Sequence, residues 1–456
     1  MDRRRPGGAV SPREENDLAG VHARALLDEL GWHQLGGNGN ADHPAVAWAR
    51  SGLMDVTGWA NGPGLMCPAP LAAAADGAMA AFVALAGIRN GTMPTGSSLL
   101  GQRARLRGLR RDGQRSPGGA CRLLPVRDGW IALSLAREED WAAVPAWLCA
   151  GLPANRKAIG GAVRELSADG LVARGRLLGL AVARADGTRA VPAWRGQATG
   201  TAGQMRERTP VVIDLSSLWA GPLTGALLRM AGAEVIKVEG IARADGARAG
   251  HGGFFDWLNG GKRFVALDFS DARGRAALRA LLRQADIVIE GSRPRALRQI
   301  GVLAEEFLAR QPGLVWVSLT AYGRDGDEGN WVGFGDDAAV AAGLSRCMAD
   351  TYGQMMFAGD AIADPLTGLH AAAAAWSAWR QRAGGLISLS LAGVAARAME
   401  LGGVLTCDAL AARAERWARM AAPWRERPYK LPVTPGAARR LGADNSAVLS
   451  ELGARC

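Results

Sequence analysis

Short apolar runs alternate with amphipathic stretches from residue 210 onward. The stretch 210–240 is PVVIDLSSLWAGPLTGALLRMAGAEVIKVEG, with apolar runs at 211–214 and 234–238 on either side of a helix-like stretch at 223–231. Apolar runs of strand length separated by an amphipathic helix predict a strand–helix–strand unit with parallel strands. The pattern therefore predicts that a parallel sheet starts at residue 211.

Three further apolar runs continue this pattern. They lie at 263–270, 285–291 and 314–323, and a helical stretch at 271–284 separates the first two. Strands that alternate with helices predict an α/β fold with a doubly wound, Rossmann-like parallel sheet and right-handed crossovers. The turns after these strands contain neither G-x-G-x-x-G nor G-x-x-x-x-G-K-[ST], so a nicotinamide-dinucleotide site and a P-loop are not predicted.

The pattern is weaker before residue 210. Alanine-rich helical stretches mix with a strand-like run at 129–135, which predicts a smaller α+β domain. Residues 187–209 have little periodicity and many breakers, which favours a linker. The alanine-rich stretch 69–89 is similar in sequence to the stretch 360–380, which contains Asp364. Aligning the two stretches places Gly77 opposite Gly368. This similarity suggests a faint internal repeat in which Ala73 stands opposite Asp364.

Composition is that of a globular protein. The chain has 456 residues, 48% of them hydrophobic, and a mean hydropathy of 0.00, which predicts two or three domains with ample core. The longest apolar stretch, 69–88, carries Asp76 and is poor in Leu, Ile and Phe, so a buried helix is favoured over a membrane span. The charged start lacks an apolar leader, and we expect a cytoplasmic location by default.

The net charge of +11 comes mostly from arginine, with a basic cluster at 103–115. Three tyrosines, eight phenylalanines and no recognition motif argue against nucleic acid. A solvated basic face is favoured, although a phosphate-rich small ligand also suits this charge. Six cysteines without C-x-x-C and five histidines without H-E-x-x-H predict neither a disulfide framework nor a metal site.

Two aspartates precede a long helix-forming run in FAGDAIADPLTGLHAAAAAW, residues 357–376. Asp364 is followed by Pro365, and Asp–Pro is a good helix start in any protein, where capping stabilises by ~1 kcal/mol. An aspartate at a helix mouth can also be a nucleophile, because the helix dipole favours its anionic form. Asp360 is interpreted as a loop residue. The residues alone leave both interpretations of Asp364 open.

The region from 210 to about 400 resembles the family III CoA-transferases of the CaiB/BaiF type, such as formyl-CoA transferase. The resemblance rests on VIDLSSLWAGP (212–222), AGAEVIKVE (231–239), GGKRFVALDFSDARGRAALRALLRQADIVIEGSRP (260–294), LVWVSLTAYGRDG (314–326), the D-x-x-x-G spacing of Asp364 and Gly368, LISLSLAGVAARAM (386–399) and the tail LPVTPGAARRLGADNSAVLSELG (431–453). Residues 108–148 resemble the start of the small domain that normally follows the catalytic domain.

This resemblance implies an unusual domain order. We predict a disordered tail (1–25), a degenerate CoA-transferase half with the small domain (26–186), the linker (187–209), the catalytic CoA-transferase domain (210–400), and a C-terminal helical segment and tail (401–456). Family members form interlocked dimers, so a homodimer or a pseudo-dimer within one chain is implied.

The resemblance also implies a reaction. Asp364 would attack an acyl-CoA thioester to give a mixed anhydride, and CoA would return to form an aspartyl-CoA thioester that passes its CoA to an acceptor carboxylic acid. The substrates would be an acyl-CoA and a carboxylic acid, with no tightly bound cofactor, no metal, no nucleic acid and no membrane partner. Asp336, or its neighbour Asp337, would orient the acceptor, although a surface loop aspartate is nearly as well favoured.

Three segments match the CoA-binding positions of the family. Leu218, Trp219 and Ala220 match the segment along the pantetheine, and Leu267 with Asp268 matches a nucleotide-side loop. The third segment comprises Arg298, Gln299 and Ile300. Gln299 stands where relatives carry an arginine near the CoA phosphates, so Arg298 is either its replacement or a solvated surface arginine.

Two other functions compete with this prediction. The α-methylacyl-CoA racemases share the fold but need a histidine near position 334, where this chain has Phe334 and Gly335, and no histidine lies between 252 and 369. A non-catalytic scaffold subunit of a heteromeric transferase would explain the degenerate N-terminal half and Gln299. The intact D-x-x-x-G spacing at Asp364 argues against it.

Overall fold

A computed structural model describes residues 15–36, 41–89, 93–149, 151, 155–186, 193–204 and 208–455. The first fourteen residues of the predicted tail therefore lie outside the described part. The prediction of a disordered tail is wrong for residues 18–25, because they belong to a helix. Leu18, Ala19 and Ala23 bury one face of that helix.

Ten strands and nineteen α-helices occupy the described residues. The strands are β1 Cys121–Val126, β2 Gly129–Ser134, β3 Ala181–Arg184, β4 Arg195–Thr199, β5 Val211–Asp214, β6 Glu234–Gly240, β7 Arg263–Leu267, β8 Ile287–Glu290, β9 Val315–Thr320 and β10 Gly385–Ser390. The helices are α1 Leu18–Glu29, α2 Pro44–Arg50, α3 Leu71–Ala86, α4 Gly96–Leu100, α5 Gln102–Arg107, α6 Glu138–Leu148, α7 Arg156–Ala162, α8 Ala168–Leu177, α9 Ala220–Met230, α10 Gly252–Asn259, α11 Ala272–Gln284, α12 Pro294–Gln299, α13 Ala304–Arg310, α14 Gly335–Ala341, α15 Leu344–Tyr352, α16 Ala363–Arg380, α17 Leu391–Glu400, α18 Cys407–Ala421 and α19 Asn445–Arg455. Short 3₁₀ turns lie at Leu53–Val56, Val163–Glu165, Gly246–Ala249, Asp327–Asn330 and Ala422–Trp424.

The large sheet has seven strands in the order β4-β10-β9-β8-β5-β6-β7, and β5 to β10 are all parallel. The chain runs outward from β5 through β6 to β7, then returns to the other side of β5 with β8, β9 and β10. This is the doubly wound order with a topological switch point between β5 and β8. The predicted α/β parallel fold is confirmed.

Alternate residues of the strands face two helical layers, as the two-residue period of a strand requires. Val211 and Ile213 pack with the buried leucines of α11, such as Leu278. Val212 faces the opposite layer, which contains α9 and α16. Burial on both faces explains why the strands are nearly continuous apolar runs.

Part of the predicted linker is a strand. Residues 195–199 form β4, which pairs antiparallel with β10 at the edge of the large sheet. The sequence Arg-Gly-Gln-Ala-Thr carries no apolar alternation because most of these side chains are exposed. Backbone hydrogen bonds rather than side-chain burial hold this strand, so the prediction of an unstructured connection is wrong for these residues.

The smaller domain is the predicted α+β unit. Strands β1, β2 and β3 form an antiparallel sheet, with Ile131, Trp147 and Leu171 in the core beneath helices α6 to α8. On the other face, Cys121 packs in a cluster that includes Phe357 from the segment before α16. The small domain therefore rests against the part of the chain that precedes Asp364.

Two helix pairs make matching close contacts through a glycine. In α3, a Cβ atom at Gly77 would lie 2.5 Å from the carbonyl oxygen of Ala19 in α1. In α16, a Cβ atom at Gly368 would lie 2.8 Å from the carbonyl oxygen of Ala220 in α9. Each glycine thus permits close approach of two helix backbones.

The matching contacts align α1 with α9. LAGVHARALLDELG from residue 18 then stands beside WAGPLTGALLRMAG from residue 219, a part of the internal repeat that we did not predict. Between α1 and α3 the described residues form helix α2 and a 3₁₀ turn but no strand. The N-terminal half therefore keeps the helix pair without a counterpart of the sheet that separates α9 from α16.

The outer edge of β7 is covered by the start of α19. Asp444 exchanges hydrogen bonds of 2.8 and 2.9 Å with the backbone of Phe264. The Asn445 side chain accepts from the N–H of Ala266 at 2.8 Å and donates to its carbonyl oxygen at 2.9 Å. These bonds satisfy an edge strand that would otherwise expose its backbone.

Within the described ranges, no helix combines the length and apolar character needed to cross a bilayer.

Candidate active site

Asp364 is the second residue of α16, inside its first turn. Ile362 is the N-cap residue, and no side chain makes a capping hydrogen bond there. The prediction that Asp364 caps a helix starting at Pro365 is therefore wrong. The helix begins earlier because the N–H of Asp364 already bonds the carbonyl oxygen of Ala361 at 2.9 Å.

The carboxylate of Asp364 lies between two backbone segments. The N–H of Ala220, at the start of α9, donates a hydrogen bond to it. On the other side, a Cβ atom at Gly335 would overlap the Asp364 Oδ2 atom, so only glycine leaves room for the carboxylate in this position. Asp364 nevertheless keeps partial solvent exposure. An accessible carboxylate is thus held in one orientation.

Burial raises the pKa of Asp364 to about 7. The positive charge of Arg103 opposes this increase, whereas the nearby carboxylates of Asp336 and Asp337 add to it. The expected anion-favouring effect of the helix N-terminus is therefore outweighed by burial and like charge. Near neutral pH the group is divided between its protonated and ionised forms.

Asp336 joins Asp364 in the site. It lies in α14, and its Oδ1 atom accepts a hydrogen bond of 2.8 Å from the N–H of Ala361. Burial, followed by the charge of Asp360, raises the pKa of Asp336 to about 6. A hydroxyl hydrogen bond from Ser116 and the charge of Arg103 act in the opposite direction.

The alternative residue, Asp337, is fully bonded to the protein around it. It accepts hydrogen bonds from the Tyr322 hydroxyl at 2.7 Å, from the N–H of Phe334 at 2.9 Å and from the Ser134 hydroxyl at 3.2 Å. Burial raises its pKa to about 7. These bonds give Asp337 a structural part in joining α14 to β2 of the small domain.

Arg103 and Asp360 form a bidentate ion pair that we did not predict. The guanidinium donates to the two carboxylate oxygens of Asp360 at 2.7 and 2.6 Å. It also lies over the Trp219 ring, 4.9 Å from its centroid. Asp360 is completely buried, so this pairing supplies the countercharge that a buried carboxylate needs. Asp360 lies in a loop, as predicted, but Arg103 is not the solvated surface residue that the basic cluster suggested.

The N-terminal half of the chain contributes directly to this group. Arg103 comes from α5, and Ser116 and Gly118 come from the turn before β1. A Cβ atom at Gly118 would lie 3.5 Å from Oδ1 of Asp360. The aspartate cluster, defined as Asp336, Asp337, Asp360 and Asp364, is therefore enclosed by both halves of one chain.

The predicted segment 218–220 borders the cluster. Leu218 has a φ angle of 70°, a strained conformation for a leucine, and its N–H donates to Oδ1 of Asp245 at 3.0 Å. Asp245 in turn forms a buried ion pair of 3.0 Å with Lys237. Trp219 is buried, with its ring 5.2 Å from that of Phe254. The loop after β5 is thus fixed by a buried charge network.

The remaining predicted CoA-binding residues lie at the carboxyl ends of other parallel strands. Leu267 ends β7, and Asp268 beyond it is exposed and binds Ser270. Arg298, Gln299 and Ile300 follow β8 at the end of α12. Arg298 lies 3.7 Å from Glu305 in an exposed pair. The described hydrogen bonds and ion pairs do not join these residues to Asp364, but the loops after β5 and β8 flank the switch point where ligands bind in such folds.

Across the described ranges, no group of three or more His, Cys, Asp and Glu side chains has the arrangement of a metal site.

Residues 210–418 match the model of "CoA-transferase family III". This region is a family III CoA-transferase domain. Succinate–glutarate CoA-transferase of Agrobacterium fabrum is 32% identical over 176 residues, which are 36% of this chain and 44% of that protein. Succinyl-CoA:glutarate CoA-transferase of Mus musculus is 28% identical over 197 residues, 41% of this chain and 45% of that protein.

A crystal structure of Rv3272 from Mycobacterium tuberculosis is 28% identical, with a TM-score of 0.38 over 44% of this chain and 55% of that one. The chain spans less than half the length of the two curated relatives. The matched residues start within the loop before β5 and end in α18. The predicted domain boundaries stay predictions.

Proposed function

We propose that this chain moves CoA from an acyl-CoA donor to a carboxylic acid, with Asp364 as the nucleophile. The observation that carries the proposal is the placement of Asp364 in the family III domain, in contact with Gly335 and with the N–H of Ala220. A partly exposed carboxylate held against backbone, in a largely buried setting, has the accessibility and orientation that covalent catalysis needs.

The reaction balances in four steps, of which the last two reverse the chemistry of the first two. The ionised Asp364 attacks the thioester carbonyl carbon, the C–S bond breaks, and CoA leaves as the thiolate with a mixed anhydride on the enzyme. The thiolate then attacks the aspartyl carbonyl, which releases the donor acid as its carboxylate and leaves aspartyl-CoA. The acceptor carboxylate attacks this thioester, and the returning thiolate attacks the acyl carbonyl of the new anhydride. Asp364 is regenerated as the carboxylate.

The surrounding groups have separate parts in this proposal. The N–H of Ala220, which bonds the Asp364 carboxylate, would also stabilise negative charge on its carbonyl oxygen during the attack by thiolate. Asp336 would orient the acceptor acid from its position in α14 beside Asp364. The acyl-CoA would lie along Leu218–Ala220 and cross the switch point toward Leu267 and the Arg298–Ile300 segment.

We further propose that one chain completes its own site as a pseudo-dimer. Arg103, Ser116 and Gly118, from the N-terminal half, reach the aspartate cluster within the same chain. The aligned helix pairs α1–α3 and α9–α16 support an internal replacement for a partner subunit. Specific activity that stays constant on dilution of the protein agrees with this proposal, and activity that falls with dilution contradicts it. A cytoplasmic location stays a prediction.

No observation favours racemase chemistry. Phe334 and Gly335 occupy the start of α14, where Gly335 contacts the nucleophile. His370 is buried in α16, with its Nε2 atom 2.8 Å from that of His22, and so faces away from solvent.

The deciding experiment is peptide mass spectrometry of the pure full chain after incubation with a panel of acyl-CoAs and hydroxylamine. We expect a CoA or hydroxamate adduct on the Asp364 peptide, absent in Asp364→Asn. Asp360→Asn is unsuitable as a control because it breaks the pair with Arg103. Asp408→Asn is suitable, because Asp408 is exposed and lies outside both the cluster and the predicted CoA-binding segments. If CoA binds but no donor gives an adduct, Asp364 is not the nucleophile, and the scaffold-subunit alternative is favoured.

A further inference from the structure

A cavity of about 740 Å³ lies in the N-terminal half, outside the family III domain. Its wall is formed by β1, by α7 and by the turns around residues 59–61 and 112–115. None of the aspartate cluster belongs to this wall. The volume is within the range of small-molecule sites, roughly 300–1,000 Å³.

The wall of the cavity is strongly basic. Five cationic side chains line it, with a single carboxylate, that of Asp112. The five are Arg115, Arg122, Arg156, Lys157 and Arg164. Asp112 is committed to Arg115, at 3.5 Å, which leaves the other four cations without a carboxylate in the wall.

Two of these arginines, Arg122 and Arg156, are half-buried, and each is destabilised by burial or by the neighbouring positive charges. The Nε atom of Arg122 is buried and has no hydrogen-bond partner. Burial lowers the pKa of Arg156, and repulsion from Arg122 and Arg115 lowers it further. Like charges gathered in a partly buried wall destabilise one another unless an anion lies between them.

The wall also keeps room for a ligand. Gly160 and Gly161 are adjacent in α7, and a Cβ atom at either position would contact nothing within 4 Å. Glycine in a helix costs about 0.5–1 kcal/mol relative to alanine, and neither backbone conformation nor packing explains it at these two positions. No side chain therefore fills the space beside Gly160 and Gly161, two residues of the wall.

We propose that this cavity binds a small molecule bearing two or more phosphate groups, at a site separate from Asp364. Several arginines suit phosphate because each presents a fork of N–H donors that matches phosphate oxygens. The turn 112–119 lines the cavity with Arg115 and reaches Asp336 through Ser116. A bound anion would therefore fix the turn that encloses the aspartate cluster.

Calorimetry with the full chain in low salt tests this proposal, with pyrophosphate and ADP as probes. We expect both to bind, and Arg122→Gln to weaken binding by about tenfold or more, since a charge-assisted contact is lost. Arg164→Gln at the exposed rim should weaken it less without threatening the fold. Asp112→Asn should tighten binding, because it removes the only carboxylate of the wall.

Arg110→Gln is the matched control, since it removes the same charge from an exposed neighbour outside the cavity. An equal loss of affinity in Arg110→Gln, or no binding of either probe, overturns the proposal. Desulfo-CoA distinguishes the source of the phosphates. Competition with pyrophosphate would identify the nucleotide end of CoA as the occupant, and simultaneous binding would identify a separate phosphorylated molecule. Adduct formation at Asp364 is measured independently, so failure here does not alter the proposed transfer reaction.

Discussion

The helix pairs α1–α3 and α9–α16 share an equivalent glycine contact but differ in chemistry. Gly77 and Gly368 both allow the partner helix to approach within contact of its backbone. The position equivalent to Asp364 is Ala73, which is buried against Leu18 and Ala19. Close helix packing thus requires glycine at both Gly77 and Gly368. Of the equivalent positions 73 and 364, only the second carries an aspartate, where Gly335 leaves space for the carboxylate and Arg103 supplies a positive charge.

The largest expected effect comes from exchanging the two equivalent positions. Asp364→Asn should lower CoA transfer by at least about a thousandfold, because it removes the proposed nucleophile. Ala73→Asp should leave activity unchanged but destabilise the fold by about 2 kcal/mol or more, since it buries a carboxyl group in an apolar setting. Transfer assays and denaturant unfolding measure the two effects. Restored transfer in the double variant would show that the N-terminal pair is a second site.

The Arg103–Asp360 pair lies beside α16 and not in the α1–α3 pair, and it should affect the pKa of Asp364. Replacing both residues, Arg103→Gln with Asp360→Asn, removes the cation without leaving a buried carboxylate unpaired. The proposed reaction requires ionised Asp364, so transfer should rise with pH through about 7 in the wild type. Because Arg103 lowers the pKa of Asp364, the rise should move to higher pH in the double variant. An unchanged profile of kcat against pH would exclude Arg103 from this role.

The two glycines separate packing from catalysis. Gly77→Ala and Gly368→Ala both place a Cβ atom under 3.0 Å from a partner backbone oxygen. Each should destabilise by about 1–3 kcal/mol from overpacking, which exceeds the gain of up to about 1 kcal/mol in helix propensity. Only Gly368→Ala should also lower kcat, because it displaces Ala220, whose N–H binds Asp364. Thermal unfolding and transfer assays on both variants check this, and equal losses of kcat would contradict it.

The smallest effect concerns His22 and His370, which join the two pairs. Burial lowers the pKa of both, that of His370 to about 4. The unfolded chain therefore binds more protons than the folded one between pH about 6.5 and about 4. The contribution of His370 to the unfolding free energy is therefore complete above pH 6.5 and is lost as pH falls through this window.

Several aspartates have raised pKa values in the folded protein, which increases its stability as pH falls. The effect of the histidines must therefore be isolated by comparing the wild type with a variant that lacks them. The unfolding free energy of wild type minus that of the double variant His22→Leu with His370→Leu should decrease as pH falls from 6.5 to 4. Leu223 already stands at the position equivalent to His22. A difference that stays constant with pH would show that the histidines do not titrate as the burial requires.

The sheet could be predicted from sequence because its strands are buried on both faces. The apolar runs at 211, 263 and 314 mark β5, β7 and β9 to within a few residues. β4 could not be predicted, since its side chains are exposed and only backbone bonds to β10 fix it. The equivalence of α1 and α9 was hidden because polar residues such as Arg24 replace the glycine at 225.

The position of Asp364 near a helix start could be predicted, but its environment could not. Local sequence suggests a cap and an anion, whereas the pKa depends on Arg103 and Asp336, which are distant along the chain. The pairing of Arg103 with Asp360 spans 257 positions, and nothing in either local sequence indicates it. Arg103 stands in a cluster of which Arg107, Arg110 and Arg115 are exposed as predicted, whereas Arg105 and Arg111 are half-buried.

The hydrogen bonds of Asp444 and Asn445 to β7 have a consequence for self-association. They occupy the backbone groups of Phe264 and Ala266, which a strand from another molecule would otherwise use. Loss of these hydrogen bonds would expose the edge of β7 to pairing with a strand of another molecule. We therefore expect Asp444 and Asn445 to protect this sheet edge from intermolecular pairing.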